Sequence, residues 1–587
     1  MRFLGNILAT LIALFIFSMF LFFGIMLIAA AAGSGSDAVA VKNNAVIELD
    51  LSKVTNDYGG KFLYKDFDYF ETNHDGLSDI FTAIEAAKTD SRIKGISILN
   101  DNSALGMAQS KALRDALEDF KTSGKFVYAY ANFYTQKEYY LNSVADVVYL
   151  NPVGEMEFKG LSSEIMFFKD LEDKSGVKME IIRHGKYKSA VEPFLENKMS
   201  DANREQVTAL LNSVWTATVN DISKSRKISV ERLNQIATGL LARTPEMAKA
   251  ENLVDKIAYE DVYHNDIRKI LKVNEDEDYN SISILDYAEN VATTTGDYST
   301  PNSIAIIYAQ GEIGSGEGDL NTVGEGSMRR SLQEARKDES VKAIVLRIDS
   351  PGGSALTSDL IWREIELTKK VKPVVVSMGN LAASGGYYIA CNGDRIYAEA
   401  NTITGSIGVF GMLPNFTQLA TKIGINTEQV ATHDNAAEYS VFKPLNEKYR
   451  KITQEGVEHV YNTFVNRVAA GRKMTPAAVD SIAQGRVWSG AEAIKIGLVD
   501  EIGGMDAAIR HAAKLAEIKT YRIQNFPEYQ KNFRDFLGNL GIPFIQSKED
   551  FIKEQVGAEN YKMIEQIRRV SAKNGIQASM PFEISIQ

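Results

Sequence analysis

The residue types and spacings best suited to chemistry are a serine and a lysine far apart in the chain. Ala382-Ala383-Ser384-Gly385-Gly386 stands between an apolar run and a predicted helix. A serine there sits at a helix N-terminus, flanked by residues too small to bury it. It is either an ordinary cap or a nucleophile whose developing oxyanion meets backbone N–H groups. A second turn, Asp349-Ser350-Pro351-Gly352-Gly353-Ser354, ends another apolar run. Paired glycines permit positive φ and close backbone approach. This turn is either a tight strand–helix corner or the source of an N–H, from Gly352 or Gly353, that joins the N–H of Gly385. A serine hydroxyl also needs a base. His184 and His433 lie in predicted loops without an evident carboxylate partner. Lys188, within Gly185-Lys186-Tyr187-Lys188-Ser189-Ala190-Val191-Glu192-Pro193-Phe194, can act as one only if desolvation leaves its amine neutral. Otherwise it is a solvated surface charge.

The elements that must position these residues come in two copies. Ile93–Leu99 aligns with Val341–Arg347, and the same offset pairs Phe126-Val127-Tyr128 with Val374-Val375-Val376, Tyr139-Tyr140 with Tyr387-Tyr388, and Gly160 with Gly408. Leu253-Val254-Asp255 later matches Leu498-Val499-Asp500. This reads as a tandem duplication, with a first repeat over 44–275, a connector over 276–300 and a second repeat over 301–515. Residues 516–587 form a C-terminal extension with no assignable element. Apolar strands alternate with amphipathic helices: Ala343–Ile348, then the helix Thr357–Lys370, the strand Val374–Met378 and a helix around Tyr387–Ala390. That order predicts an α/β fold with a buried, largely parallel sheet. Gly311 to Gly318 is expected to be a rim loop. At the position of Ser384 the first repeat has Gln136, and at that of Lys188 the second has Ala436, so each repeat carries only one member of a serine–lysine pair.

Composition narrows the classes. With 45% hydrophobic and 24% charged residues the chain is globular, not disordered or polytopic. Net charge of −11 disfavours nucleic acid as a partner. Cys391 is the single cysteine, and the six histidines form no HExxH pair, so no metal or cofactor is expected. Residues 7–32 carry no charge. A helix of that length spans about 39 Å, enough to cross a bilayer. Residues 1–6, with Arg2, would then be the cytoplasmic N-terminus, and the large body would lie outside. The run Ala29–Ser34 resembles a cleavage site, but the apolar stretch is longer than a signal peptide's, so the anchor is expected to be retained.

Four motifs together resemble the signal peptide peptidase A (protease IV) family in its long, duplicated form: Asp349–Gly353, Ala383–Ala390, Thr404–Gly411 and Tyr187–Phe194, in the expected order. The resemblance reaches from the N-terminal segment to about residue 515. It implies tandem crotonase-like (Clp-protease-like) domains after one N-terminal transmembrane helix. It also implies a membrane-anchored serine endopeptidase that degrades cleaved signal peptides and other apolar peptides in or near the membrane. Ser384 would be the nucleophile, Lys188 the general base and Ser406, of Thr-Gly-Ser-Ile-Gly, the residue that orients Lys188. Gly353 and Gly385 would supply the oxyanion N–H groups. A homo-tetramer at the bacterial inner membrane, with its body on the periplasmic side, is the corresponding expectation. The alternative is a catalytically silent crotonase-like scaffold or chaperone-like ring; a CoA-dependent activity is less compatible with an exported body.

Overall fold

The structure, a computed structural model, describes residues 2–33, 39–64, 69–99, 103–294, 300–433, 436, 439–531 and 576–580. Asp101, the counterpart of Asp349, and most of the C-terminal extension lie outside the described residues. Two mostly parallel sheets form the body. The first runs Lys256–Ile257, Val147–Met156, Phe126–Tyr134, Ile93–Ile98, Ala45–Leu49, Ser281–Ser283, with every neighbouring pair parallel. The second runs Val487–Ser489, Ile403–Gly405, Val374–Ala383, Val341–Ser350, Ser303–Gln310, Arg522–Phe526. Only its Val487–Ser489 edge pairs antiparallel. Ser303–Gln310 is buried at every position. Helices cover both faces of a parallel sheet, so its strands read as unbroken apolar runs.

The two sheets carry the same supporting contacts at equivalent positions. Tyr139 donates its hydroxyl to Leu253 O at 2.8 Å, and Tyr387 does the same to Leu498 O at 2.8 Å. Asp255 accepts from Val148 N at 2.7 Å, and Asp500 from Ile396 N at 2.8 Å. Arg226 pairs with Asp255 at 2.8 Å, and Arg472 with Asp500 at 2.6 Å. Each arginine ends a 26-residue helix, Asp201–Arg226 or Glu447–Arg472.

A third sheet joins the halves. Lys178–His184, from the first, pairs antiparallel over seven residues with Val409–Asn415, from the second. Beneath it lies a buried ion pair across the halves. Arg347 Nε donates to Asp57 Oδ2 at 2.6 Å, with both side chains 4% exposed or less. Gln109 Nε2 donates to the other carboxylate oxygen at 2.9 Å, and Arg347 Nη1 reaches Ser377 Oγ and Met378 O.

Four expectations change. Residues 276–300 are more than a connector: Ser281–Ser283 is an edge strand of the first sheet, and Ile284–Thr294 is a helix whose Ile284, Tyr287, Ala288 and Val291 enter the first core. Their acidic and Ser/Thr-rich flanks hid a short amphipathic pattern. The expected rim loop is instead built of Glu312–Gly314, Gly318–Asp319 and Thr322–Gly324, strands of the third sheet. His184 ends a strand and stacks on Tyr461 at 3.9 Å. Past residue 516, Arg522–Phe526, Glu528–Lys531 and Ile576–Ser579 all pair with strands of the body. At the N-terminus, Arg2–Gly33 is one helix. Among the described residues no helix is long and apolar enough to cross a membrane.

Asp57→Ala would leave the Arg347 guanidinium buried beside an empty cavity. We expect it to reduce stability by about 3–5 kcal/mol, read from urea unfolding of the folded variant. A loss below about 1 kcal/mol would remove the pair from any role in joining the halves.

Candidate active site

Ser384 follows the strand Val374–Ala383 and precedes the helix Gly385–Ala390. Its φ of 56° and ψ of −115° lie outside the regions that a serine ordinarily adopts. Its side chain makes no capping bond, so the ordinary helix-cap reading fails. The strain is held by Ser384 N, which donates to Gly405 O at 2.8 Å, and by Tyr388 N, which donates to Ser384 O at 2.8 Å. The hydroxyl thus projects from the strand end, where the loop that follows Lys178–His184 delivers Lys188.

Lys188 Nζ lies 3.0 Å from Ser384 Oγ, within the same chain. It also lies 3.0 Å from Ser406 Oγ and 3.2 Å from Ser406 O. A neutral amine has one lone pair and two N–H groups, so these three oxygens match its full bonding capacity. Burial pushes the amine down to about 7 from its usual value near 10.5. Lys188, Ser384 and Ser406 are all fully buried. Ser384 Oγ has Gly408 O as a further acceptor at 3.5 Å.

The lysine is held from both halves. Tyr187 N donates to Gln484 O at 2.8 Å, and Arg183 Nη1 to Lys188 O at 3.3 Å. Glu192 is buried and accepts from Ser200 N at 2.9 Å and from Asn203 Nδ2. Gln206 Nε2 ties Ser189 Oγ at 2.8 Å to Tyr187 O at 3.1 Å. Gly485 has φ of 80°, and a Cβ there would stand 2.6 Å from Lys188 N and Cα. Glu192 lay in a motif visible in the sequence; Gln206 lies outside that motif, and the role of Gly485 depends on a contact between halves.

Gly353 and Gly385 lie in the two turns that abut beside Ser384. A Cβ on Gly352 would come 2.5 Å from Gly385 N. Gly352 donates its own N–H to Ser350 Oγ at 3.2 Å. In the first half the corresponding place is filled. Gln136 Oε1 accepts from Lys159 N at 3.0 Å and Gly160 N at 2.9 Å, and Phe158, at the position of Ser406, packs edge-on against Tyr139. Ala436 is exposed, and His433 is an exposed residue near Thr432. Among the described residues no cluster of His, Cys, Asp and Glu could hold a metal.

A profile of peptidase family S49 matches residues 119–274 and 366–519. The chain belongs to peptidase family S49. Its two matched segments fall in the two halves, one carrying Lys188 and the other Ser384 and Ser406. Among similar proteins, Protease 4 of Haemophilus influenzae is 39% identical over 446 residues, covering 74% of this chain and 72% of the relative. Protease 4 of Salmonella typhi is 35% identical over 516 residues, 84% of this chain and 82% of the relative. The chloroplastic serine protease SPPA of Arabidopsis thaliana is 33% identical over 470 residues, 78% of this chain and 69% of the relative. A ClpP1 mutant from Listeria monocytogenes overlays 35% of this S49 chain and 94% of its own, at 15% identity and a TM-score of 0.24, a likeness too slight to bear on function.

Gly485→Ala should displace the Lys188 backbone. We expect about 1–3 kcal/mol of destabilisation, measured as a lowered unfolding midpoint. An unchanged midpoint would mean that the loop relaxes without cost.

Proposed function

We propose that this S49 chain is a serine endopeptidase working through Ser384 and Lys188. The observation that carries the reading is the 3.0 Å approach of a buried lysine amine to the hydroxyl of a strained serine. Ser384 Oγ would attack the peptide carbonyl while its proton passes to Lys188 Nζ. Gly353 and Gly385 N–H groups would hold the oxyanion. The lysine would then protonate the leaving amine; in the second step Lys188 Nζ would take a proton from water as it attacks the acyl group and return it to Ser384 Oγ as the acid leaves. Ser406 would orient the amine by taking its two N–H groups, which points the lone pair at Ser384. The filled first-half site, with Gln136 and Phe158, favours one working site per chain over a silent scaffold.

Substrates in this reading are apolar peptides, cleaved signal peptides among them. The membrane anchor in this reading rests on the sequence, in which residues 7–32 carry no charge, and on exposed Leu11, Leu14, Phe15, Phe17 and Phe20. Anchoring would hold enzyme and membrane-borne peptide at high effective concentration. The body would stand on the extracytoplasmic side of a bacterial inner membrane. Tandem crotonase-like units and a homo-tetramer complete the proposal, in which repeated similar surfaces favour a closed ring.

Ser384→Ala should lower peptide turnover by about 10³-fold or more while keeping the fold. Near-normal turnover by the purified variant would end the serine-peptidase reading.

The amine must be neutral to accept a proton, so activity should rise with pH through about 7. The active fraction would go from about a tenth at pH 6 to about nine-tenths at pH 8. Lys188→Arg should be as inactive as Lys188→Ala, since guanidinium stays charged. Ser406→Ala should slow the reaction without stopping it. Turnover against pH for the three variants tests the dyad, and substantial activity in Lys188→Arg would refute it.

A further inference from the structure

The strand that ends at Ser384 is not regular. Val341–Ser350 and Val374–Ala383 pair in parallel register as far as Ile348 and Met378, and the pairing resumes at Ser350 and Ala382. Gly379, Asn380 and Leu381 therefore stand opposite Asp349 alone, a bulge beside the nucleophile. The Asp349 carboxylate holds it. Its Oδ1 accepts from Leu381 N at 2.8 Å and its Oδ2 from Asn380 Nδ2 at 3.1 Å. Gly379 makes room for the side chain, since a Cβ there would stand 2.9 Å from Asp349 Cβ. Gly352 lies three residues beyond Asp349, and Ser384 three beyond Leu381. The two turns abut: a Cβ on Gly386 would come 2.6 Å from Ser350 O.

Asn380 also reaches the other half. Its Oδ1 accepts from Ala108 N and Gln109 N, each at 3.1 Å. These are first-turn N–H groups of the helix Met107–Lys121, whose N-cap position is Gly106 and which has no side-chain cap of its own. An asparagine of the second half thus caps a helix of the first. The seat is close, because a Cβ on Gly106 would collide with the Asn380 amide. Gln109 carries the contact on: its Nε2 donates to Asp57 Oδ1 at 2.9 Å, and Asp57 accepts from Arg347, two residues before Asp349. The circuit closes on the strand where it began. In the first half the residue at the position of Asn380 is Asn132. Its Oδ1 accepts from the Tyr130 hydroxyl at 3.1 Å and Asn151 Nδ2 at 2.9 Å, within its own sheet.

We propose that Asp349 and Asn380 are positioning residues for the reaction at Ser384. The inference rests on the proposed function and adds two groups that serve it without touching the reacting atoms. Asp349 locks the bulge, which sets Ser384 against the Gly352–Gly353 turn. Asn380 fixes that assembly to the half that delivers Lys188. Each hydrogen bond in the tie runs in one direction: Leu381 N and Asn380 Nδ2 donate to Asp349, and two backbone N–H groups donate to Asn380 Oδ1. Asp349→Asn sets an amide NH2 against either Leu381 N or Asn380 Nδ2. Turning the Asn380 amide over only moves the conflict to Ala108 N and Gln109 N, so in every arrangement a donor is left without an acceptor. Adding Asn380→Asp reverses one bond and satisfies them all. The new amide donates to the new carboxylate, which still accepts from the helix N-terminus, where the helix dipole favours a negative charge.

The test compares the full-length chain with Asp349→Asn and with Asp349→Asn/Asn380→Asp. Desolvation, then the Asp57 charge, push the Asp349 carboxyl up to about 7, so the comparison is run at about pH 8, where both its oxygens accept. The probe is a fluorescent alkyl fluorophosphonate, which bonds the serine oxygen to phosphorus and expels fluoride; its labelling rate is measured per folded molecule, well below each unfolding midpoint. Asp349→Asn should label at least about tenfold more slowly, and the double variant should return to within about threefold of the original rate. An original rate in Asp349→Asn overturns the proposal. So does a lowered unfolding midpoint with the rate per folded molecule unchanged, which is what a merely structural role would give. If Asp349→Asn does not fold, the double variant decides: folding and labelling like the original chain supports the proposal, and a double variant no better than the single, in folding or in rate, overturns it. Ser384→Ala is the control. Labelling that persists there refutes the serine reading, and the positioning with it; labelling lost there but normal in Asp349→Asn refutes the positioning alone.

Discussion

The proposed mechanism asks the Lys188 amine to accept a proton near neutral pH; such an amine must be kept from water, and no single half of this molecule does that for Lys188. Its loop leaves the first half after Lys178–His184, and the oxygens around its Nζ come from the second. Desolvation lowers an amine's pKa most when burial is complete, so the strand pairing with Val409–Asn415, the close approach at Gly485 and the polar brace of Glu192 and Gln206 all serve one end. The ion pair Asp57–Arg347 belongs to the same economy, since it fixes the relative placement of the halves where slippage of an ångström would open the pocket.

Duplication explains how such a site could arise without weakening the fold. The scaffold contacts are retained twice, down to Tyr139 and Tyr387 on equivalent carbonyls and Arg226 and Arg472 on equivalent aspartates. What diverged is confined to the strand ends. In the first half Gln136 bonds the loop that Ser384 leaves open in the second, and Phe158 fills with a ring the place where Ser406 offers a hydroxyl. A parallel sheet places such positions together at the C-terminal ends of its strands, where side chains can change without disturbing the core.

The sequence was legible where one physical requirement acted locally. Apolar runs such as Ala343–Ile348 and Val374–Met378 announced buried parallel strands, and the internal offset located their counterparts in the first half. Ser384 and Lys188 stood out because the two copies differ there. Less visible were features that exist only through contact with something distant. Ser281–Ser283 is too short for periodicity to register, and it is a strand because Ala45–Leu49 offers it an edge. Glu312–Gly314 looked like a loop because glycines surround it, yet Gly311 and Gly318 permit the close passage of neighbouring backbone at Asn321 and at Thr322 and Gly324. Gln-Ala-Ser-Met at 577–580 carries no strand signal of its own; two waiting edges make it one.

The order of the two reacting groups along the chain has a consequence in time. Lys188 is synthesised 196 residues before Ser384. While only the first half has emerged from the ribosome, its lysine lacks the cover of Ser406, Phe410 and Gly485, and in water an amine of that kind holds its proton. In the proposed dyad Ser384, arriving later, would have no base until Val409–Asn415 had closed on Lys178–His184. Under the proposed mechanism an unfinished or half-folded molecule would be chemically inert toward its neighbours, and competence would come only once the two halves had paired.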